Sequence, residues 1–195
     1  MILVLVGESA SGKTTVSKIL EEEMGYHRII SHTTRPMRVG EKDGDDYYFV
    51  SQDEFNRMLR NDEFAESAAH GSWSYGTSKA ELEKYSGDDE SCVAILNPVG
   101  LREFKKNGIE NMFSVYINVD MRERIIKMLQ RQDDIQETFR RTNYDAGQFN
   151  GIGNEVNMIV DNKNYEKTAM EVAVEIDAAA RMRHLWDSKY TPVAK

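Results

Sequence analysis

The chain has 195 residues and a formal net charge of −8. That length suits one domain with a full hydrophobic core, and two independent domains would be cramped in it. The acidic balance argues against general binding to nucleic acid or to a membrane surface, and it favours small-molecule partners. Cys92 is the single cysteine, so no internal disulfide can form, and a reducing, cytoplasmic compartment is expected. The oligomeric state is left open.

A glycine-rich segment between Gly7 and Thr14 follows an apolar run of strand length, residues 2–6. Apolar residues at helical spacing come after it. The spacing G-x-x-x-x-G-K-T between a strand and a helix is typical of a loop whose backbone N–H groups surround a polyphosphate. Lys13 is expected to reach the β- and γ-phosphates, and Thr14 is expected to hold Mg²⁺ through its hydroxyl. The predicted members of this ATP site are Gly7, Ser9, Ala10, Ser11, Gly12, Lys13, Thr14 and Thr15.

A second polar segment carries two arginines three positions apart, Arg35 and Arg38, on either side of Pro36. Each guanidinium can donate two parallel hydrogen bonds, and phenol hydroxyls follow nearby, so the pair would form a good receptor for a second phosphate. A solvated loop in which these arginines pair with the acids at positions 41–45 is an equally good interpretation of the composition. The residues by themselves leave both interpretations open.

A long, specific motif starts at residue 31 and reads Ser31-His32-Thr33-Thr34-Arg35-Pro36-x-Arg38-x-Gly40-Glu41-x-Asp43-Gly44-x-Asp46-Tyr47-x-Phe49-Val50-Ser51. With this motif the sequence resembles the guanylate kinase family. With the glycine-rich loop before it and shorter matches through residue 77 after it, the resemblance covers the first part of the chain and thins out beyond. The GMP-binding residues implied by the resemblance are Ser31, Arg35, Arg38, Tyr47, Glu66, Tyr75, Gly76, Thr77 and Asn97.

Glu66 and Thr77 are the residues that the resemblance assigns to the guanine base. Guanine presents adjacent N1–H and N2–H₂ donors that one carboxylate can accept together, and adenine lacks both. Without the family, Glu66 would be interpreted as an ordinary exposed acid. Selectivity for GMP over AMP is therefore expected to depend on Glu66.

The chain departs from the family after the predicted strand 92–96. Guanylate kinases usually carry Asp-x-Asp-x-Gln-Gly there, and alignment on Gly100 places Ile95, Asn97 and Val99 at the three polar positions. In the family the second aspartate lies near GMP and the water shell of the metal. Asn97 could keep a hydrogen bond while losing the charge that favours Mg²⁺. The departure is expected to affect the rate more than the fold.

Residues 131–150 correspond to the family's lid, whose arginines fold over the triphosphate. Arg131 with Arg140 or Arg141 are the candidates, although on spacing alone they could equally form salt bridges along a helix. Arg122 and Arg124, on the helix before the lid, are predicted to lie on its outward face. The predicted catalytic cations are Lys13, Arg35, Arg38, Arg131, Arg140 and Arg141.

Asp161 and Asn162 follow a last predicted strand, residues 156–160. They resemble, with the two polar residues exchanged, the turn that contacts adenine in the family. By this resemblance they complete the ATP site. A long helix is predicted after them, over residues 165–190.

Alternating strands and helices behind a phosphate-binding loop predict an α/β fold with a mostly parallel sheet. The resemblance makes this a three-layer P-loop kinase fold, with one domain over residues 1–195. Its predicted parts are a core (1–30, 86–130 and 151–195), an inserted GMP-binding lobe (31–85) and a lid (131–150).

The implied reaction is Mg²⁺-dependent transfer of the γ-phosphoryl group of ATP to GMP or dGMP. Two alternatives stay open. One is a guanylate-kinase-like binding module with weak or no catalysis, for which the missing carboxylates at Ile95 and Asn97 argue. The other is a kinase of the same fold that acts on a different phosphorylated acceptor.

Overall fold

A computed structural model describes residues 1–85, 90–109 and 111–190, without the side chains of His70 and residues 186–190. The strands are β1 (Ile2–Val6), β2 (His27–Arg28), β3 (His32–Thr33), β4 (Tyr48–Phe49), β5 (Phe64–His70), β6 (Trp73–Ser78), β7 (Cys92–Leu96), β8 (Met112–Asn118) and β9 (Met158–Asp161). The helices are α1 (Lys13–Met24), α2 (Gln52–Arg60), α3 (Lys79–Glu83), α4 (Pro98–Lys106), α5 (Met121–Gln130), α6 (Ile135–Asp145) and α7 (Ala169–Tyr190).

The central sheet has the strand order β2-β7-β1-β8-β9, and every pair in it is parallel. Its middle strand β1 is apolar on both faces, as a parallel strand covered by helices on both sides must be. Leu3 and Leu5 belong to a core cluster shared with α1 and α7. Val4 and Val6 belong to a second cluster, shared with α4. The sheet is thus the middle of three layers, which confirms the predicted fold class.

A second, four-stranded sheet is formed by residues 32–78, in the order β4-β3-β6-β5. β6 runs antiparallel to both of its neighbours, while β3 and β4 are parallel. Helix α2 packs beside it and begins after Ser51, whose hydroxyl accepts a hydrogen bond from the Glu54 N–H at 3.1 Å. The division of the chain into core, lobe and lid stays a prediction.

Helix α4 begins at Pro98, directly after strand β7 and Asn97. The Asn97 side chain caps it by accepting a hydrogen bond from the Gly100 N–H at 2.8 Å, and Pro98 takes the first helical position, where no N–H is needed. Asn97 therefore has a structural task in addition to any role in the site.

Cys92 lies in β7 and is 2% exposed, and burial raises the pKa of its thiol to about 11. A thiol that stays protonated in the core is a packing residue and a poor nucleophile. None of the helices in the described part of the chain combines the length and the apolarity needed to cross a membrane.

Candidate active site

An open cavity lies beyond the carboxyl ends of β1 and β7, the edge where open α/β sheets bind ligands. Three segments that are far apart in the sequence line it: the glycine-rich loop, the second sheet and the segment 131–150, which the sequence predicts as a lid. The predicted residues that line it are Gly7, Ser9, Ala10, Lys13, Thr14, Ser31, Arg38, Tyr47, Glu66, Tyr75, Asn97, Arg131 and Arg141. The structure therefore brings most of the predicted site together.

The glycine-rich loop is closely packed at its first glycine. A Cβ on Gly7 would lie 2.5 Å from the Ser11 hydroxyl oxygen and 2.9 Å from the Ile117 carbonyl oxygen, so no side chain fits there. Gly12 has a φ of 96°, and Ala10 has a φ of 63°, a left-handed value that a residue with a Cβ rarely adopts. Such local strain is common in loops that hold a ligand.

Lys13 begins α1, and its ammonium group lies inside the loop. Its Nζ donates hydrogen bonds to the carbonyl oxygens of Gly7, at 2.6 Å, and Glu8, at 2.8 Å. Burial lowers the pKa of Lys13 to about 8, although the charges of Asp145 and Glu8 oppose the shift. Thr14 lines the cavity next to it, and Thr15 is exposed on the same helical turn.

The two arginines of the second polar segment have different surroundings. Arg35 is buried and donates to Glu41 at 2.8 Å and to the Pro36 carbonyl oxygen at 2.8 Å. Glu41 also accepts a hydrogen bond from the backbone N–H of Arg38, and the side chain of Arg38 lines the cavity. Each of the two interpretations of this segment therefore describes one arginine: Arg35 is paired with an acid, and Arg38 faces the site.

Two phenols lie beside these arginines. The rings of Tyr47 and Tyr75 are 5.9 Å apart, and the Arg35 guanidinium lies 5.5 Å from the centre of the Tyr47 ring. Burial raises the pKa of Tyr47 to about 12, so its hydroxyl keeps its proton at neutral pH. Both phenols line the cavity and can donate hydrogen bonds to an anion there.

A chain of hydrogen bonds leads to Glu66. The Thr77 hydroxyl donates to Glu66 Oε1 at 2.8 Å, and the Ser31 hydroxyl lies 3.1 Å from that of Thr77. Since the Thr77 proton is used toward Glu66, Ser31 is the donor of the second bond. Glu66 is 4% exposed, and burial raises its pKa to about 7 against the opposing hydrogen bonds from Thr77. A deeply placed carboxyl group, prepared to accept hydrogen bonds, thus closes one end of the cavity.

Two glycines leave room around Glu66, one beside its carboxyl group and one beside its backbone. A Cβ on Gly100 would lie 2.6 Å from Glu66 Oε2, so the first turn of α4 can approach the carboxylate only because residue 100 has no side chain. A Cβ on Gly76 would lie 2.8 Å from the Phe64 ring and 3.1 Å from the Glu66 carbonyl oxygen. In the sequence Gly100 only aligns the chain with the family, and nothing near it signals the contact with Glu66.

The three arginines of the predicted lid differ in their ion-pair partners and in whether they line the cavity. Arg131 lies 3.0 Å from Asp133, and Arg141 lies 3.5 Å from the same carboxylate and 3.0 Å from Glu137. Arg140 pairs with Glu137 at 2.8 Å and extends toward the turn between β5 and β6. Arg131 and Arg141 line the cavity, and the geometry therefore favours Arg141 over Arg140 as the second lid cation.

Arg124 corrects the sequence analysis. It is 4% exposed, donates to the Val119 carbonyl oxygen at 3.1 Å and lies 3.4 Å from the Ser9 carbonyl oxygen, so the prediction of an outward face is wrong for this residue. Arg122 is 85% exposed, as predicted. Helical spacing could have indicated that Arg124 is buried, because it precedes the buried Met128 by one turn.

Asp161 and Asn162 lie at the end of β9. The Asn162 side chain is buried and exchanges hydrogen bonds with the backbone of Lys167, at 2.9 and 3.1 Å. Asp161 is 56% exposed and lies 3.2 Å from Lys163. In the described part of the chain these two residues are outside the cavity lining, and their contact with adenine stays a prediction.

Comparison with known proteins identifies the family. The family model described as guanylate kinase matches residues 1–179. A guanylate kinase of Legionella pneumophila is 31% identical over 93% of this chain and 87% of its own, and one of Mycoplasma genitalium is 30% identical over 88% and 72%. The crystal structure of guanylate kinase from Anaplasma phagocytophilum superimposes with a TM-score of 0.71 at 26% identity, covering 100% of this chain and 97% of that one. The chain belongs to the guanylate kinase family.

Proposed function

We propose that the protein transfers the γ-phosphoryl group of ATP to GMP or dGMP, which yields ADP and GDP or dGDP. The observation that carries this proposal is one cavity with a phosphate loop at one end and a buried carboxyl group, Glu66, at the other. Curated relatives along most of the chain are guanylate kinases, which supports the same reaction.

At the acceptor end, Glu66 accepts the N1–H and N2–H₂ groups of guanine, while Thr77 holds the carboxylate in place. Adenine offers no matching pair of donors, so AMP would leave a buried carboxyl group without partners. The phosphate of GMP is bound by Arg38 with the phenols of Tyr47 and Tyr75, which line the cavity beside it. Arg35 acts indirectly: it holds the loop that carries Arg38 in place through its ion pair with Glu41.

At the donor end, the loop from Gly7 to Thr14 surrounds the β- and γ-phosphates. An oxygen of the GMP phosphate attacks the γ-phosphorus in line, the bond from that phosphorus to the β–γ bridging oxygen breaks, and ADP leaves. No side chain acts as a nucleophile. The contribution of the protein is alignment and positive charge, supplied by Lys13, Arg131 and Arg141.

Mg²⁺ fits the donor end through the hydroxyl oxygen of Thr14, which lines the cavity. Within the described ranges no group of three or more His, Cys, Asp or Glu side chains converges in a way that could hold a metal ion. This agrees with an ion that keeps several waters and is bound through substrate phosphates instead of a protein cage. When bound, Mg²⁺ neutralises charge on the β- and γ-phosphates.

The three-part organisation follows from these roles. Residues 31–85 form the GMP-binding lobe, residues 131–150 form a lid that brings Arg131 and Arg141 over the phosphates, and the remainder is the core. Asp161 and Asn162, at the carboxyl end of β9, are proposed to contact adenine. Asp161 is exposed and accessible to a ligand, whereas the buried Asn162 would stabilise the turn that positions Asp161.

The experiment that tests the proposal is ³¹P NMR of the protein with ATP, GMP and MgCl₂. ADP and GDP should appear in equal amounts, and omission of GMP should stop both. A binding module would bind GMP without producing GDP. A kinase for a different acceptor would leave GMP unchanged although the phosphate loop binds ATP.

A further inference from the structure

Asp145, the last residue of α6, is buried against the phosphate loop. Its side chain is 3% exposed, and Oδ2 accepts a hydrogen bond from the backbone N–H of Ser9 at 2.8 Å. The same oxygen lies 3.5 Å from Nη1 of the buried Arg124. Asp145 also lines the cavity that contains Lys13. The carboxylate of Asp145 is thus bound by a backbone N–H of the loop that is expected to bind phosphates.

Within its own helix, this position is electrostatically unfavourable for an acidic side chain. The carboxyl end of a helix carries the negative end of the helix dipole, so an aspartate in the last turn of α6 is repelled by its own helix. The compensation comes from outside the helix, through the Ser9 N–H and the Arg124 guanidinium, and hydrogen bonds to charged groups are the strong kind. The features that stabilise Asp145 are those that bind a phosphate.

We propose that Asp145 is an internal anion that occupies the phosphate loop before ATP binds, and that the phosphates of ATP displace it. The inference rests on the proposed function, in which the loop is the donor site. A triphosphate and a buried carboxylate at the same loop would repel each other strongly because the surroundings are poorly solvated. Arg124 lies 3.9 Å from Glu8, so it keeps an anionic partner after Asp145 leaves.

Displacement of Asp145 also moves the end of the lid helix. The neighbouring residue Tyr144 donates a hydrogen bond to the Ala69 carbonyl oxygen at 2.5 Å, so this end of α6 joins the phosphate loop to strand β5 of the second sheet. Arg141 lies one turn earlier on the same helix. Binding of ATP is therefore coupled to a change in the lid that carries Arg141 and contacts the acceptor side.

The test is isothermal titration of inorganic tripolyphosphate, and of MgATP, into the wild type, Asp145→Asn and Asp145→Ala. Glu22→Gln is the matched control, because it removes the same charge from an exposed position on α1. Titrations are run below neutral pH, since the pKa of Lys13 is about 8 and loss of the nearby negative charge lowers it further. Thermal unfolding identifies any variant that does not fold.

We expect both Asp145 variants to bind tripolyphosphate and MgATP about tenfold more tightly than the wild type, as removal of a like charge from a poorly solvated site predicts. Glu22→Gln should match the wild type. Equal or weaker binding of tripolyphosphate by the folded variants would overturn the inference, because Asp145 would then stay in place or assist the donor. Tripolyphosphate binding is independent of turnover, so tighter binding without GDP formation would refute the proposed function and leave this inference standing.

Discussion

The two ends of the cavity hold their polar groups in different ways. At the guanine end, Ser31, Thr77 and Glu66 form one chain of hydrogen bonds that already points its acceptor at the site. At the phosphate end the cations are engaged by the protein itself: Lys13 by loop carbonyl oxygens, and the two lid arginines that line the cavity by Asp133. The base site is prepared in advance, whereas the donor site must exchange internal partners for phosphates.

The difference suggests how selectivity and rate are divided. A prepared acceptor such as Glu66 discriminates between bases with little rearrangement, since the wrong base leaves it unpaired. A phosphate site whose cations begin with internal partners binds its ligand less tightly but couples binding to movement of the lid. Changes at the guanine end should therefore alter which acceptor is used, and changes at the phosphate end should alter turnover.

The largest effect is expected for Lys13→Ala. Turnover should fall by about 10³-fold or more, because a cation that stabilises the developing charge is removed. GMP affinity should stay close to that of the wild type, since other segments supply its site. The measurements are kcat and a GMP titration, with Lys106→Ala, exposed on α4, as the control. Loss of GMP affinity together with turnover would contradict the separation of the two ends.

The next effect is that of Glu66→Gln. We expect kcat/KM for GMP to fall by about 10²-fold, because the amide offers one acceptor oxygen and sets its own donor against those of guanine. Glu63→Gln, a change at a partly exposed position just before the same strand, should have little effect. An unchanged kcat/KM in Glu66→Gln would remove Glu66 from the site.

Gly100→Ala should lower kcat/KM for GMP by about tenfold, with ATP binding preserved, because a Cβ 2.6 Å from Glu66 Oε2 forces the carboxylate to move. A second substitution, Glu66→Asp, shortens the acid and should restore part of the loss. Val99→Ala on the same turn is the control. If kcat/KM of the double variant falls by the full product of the two single-variant losses, the two changes are independent and Gly100 does not act through Glu66.

The pH dependence of binding should follow the carboxyl group of Glu66. Its pKa of about 7 means that the empty site is largely protonated below neutral pH and carries the carboxylate above it. Guanosine affinity should therefore rise severalfold as the pH passes upward through about 7 and then level off. Guanosine avoids the titration of the GMP phosphate. The dependence should be absent in Glu66→Gln, and a wild-type affinity independent of pH would show that burial does not shift this group.

The smallest effect is expected for Asn97→Asp. The new carboxylate can still cap α4, and its charge should lower the Mg²⁺ concentration for half-maximal activity by about twofold or less. The added charge lies close to Glu66 around Gly100, which opposes ionisation of Glu66 and limits the gain. The check is a Mg²⁺ titration at saturating ATP and GMP. A gain of an order of magnitude would mean that Asn97 does face the metal.

The sequence was sufficient where the chemistry is local. The phosphate loop is eight consecutive residues between a strand and a helix, so its position and its chemistry follow from the order of residues, and strand β7 is found where the apolar run 92–96 predicts it. The parallel sheet also follows from the alternation of strands and helices.

The contacts that the sequence does not predict join segments that are distant along the chain and close in space. The contact of Gly100 with Glu66 joins α4 to β5, and the pairing of Asp145 with Ser9 joins residues 136 positions apart. Arg124 was misjudged because charged residues on a helix usually face solvent, whereas here the phosphate loop covers the helix. The difference between Arg140 and Arg141 is set by the rotation of α6 relative to the cavity, which spacing along the chain does not fix.

Recognition of guanine by Glu66 is best measured by the initial rate of ADP release from ATP with GMP, dGMP, AMP, UMP or dTMP as the acceptor. We expect turnover with GMP and dGMP, and kcat/KM for AMP, UMP and dTMP lower by about 10²-fold or more, because none of these bases presents the paired donors that Glu66 accepts. Equal rates with AMP and GMP, or no ADP release with GMP at all, would contradict this expectation.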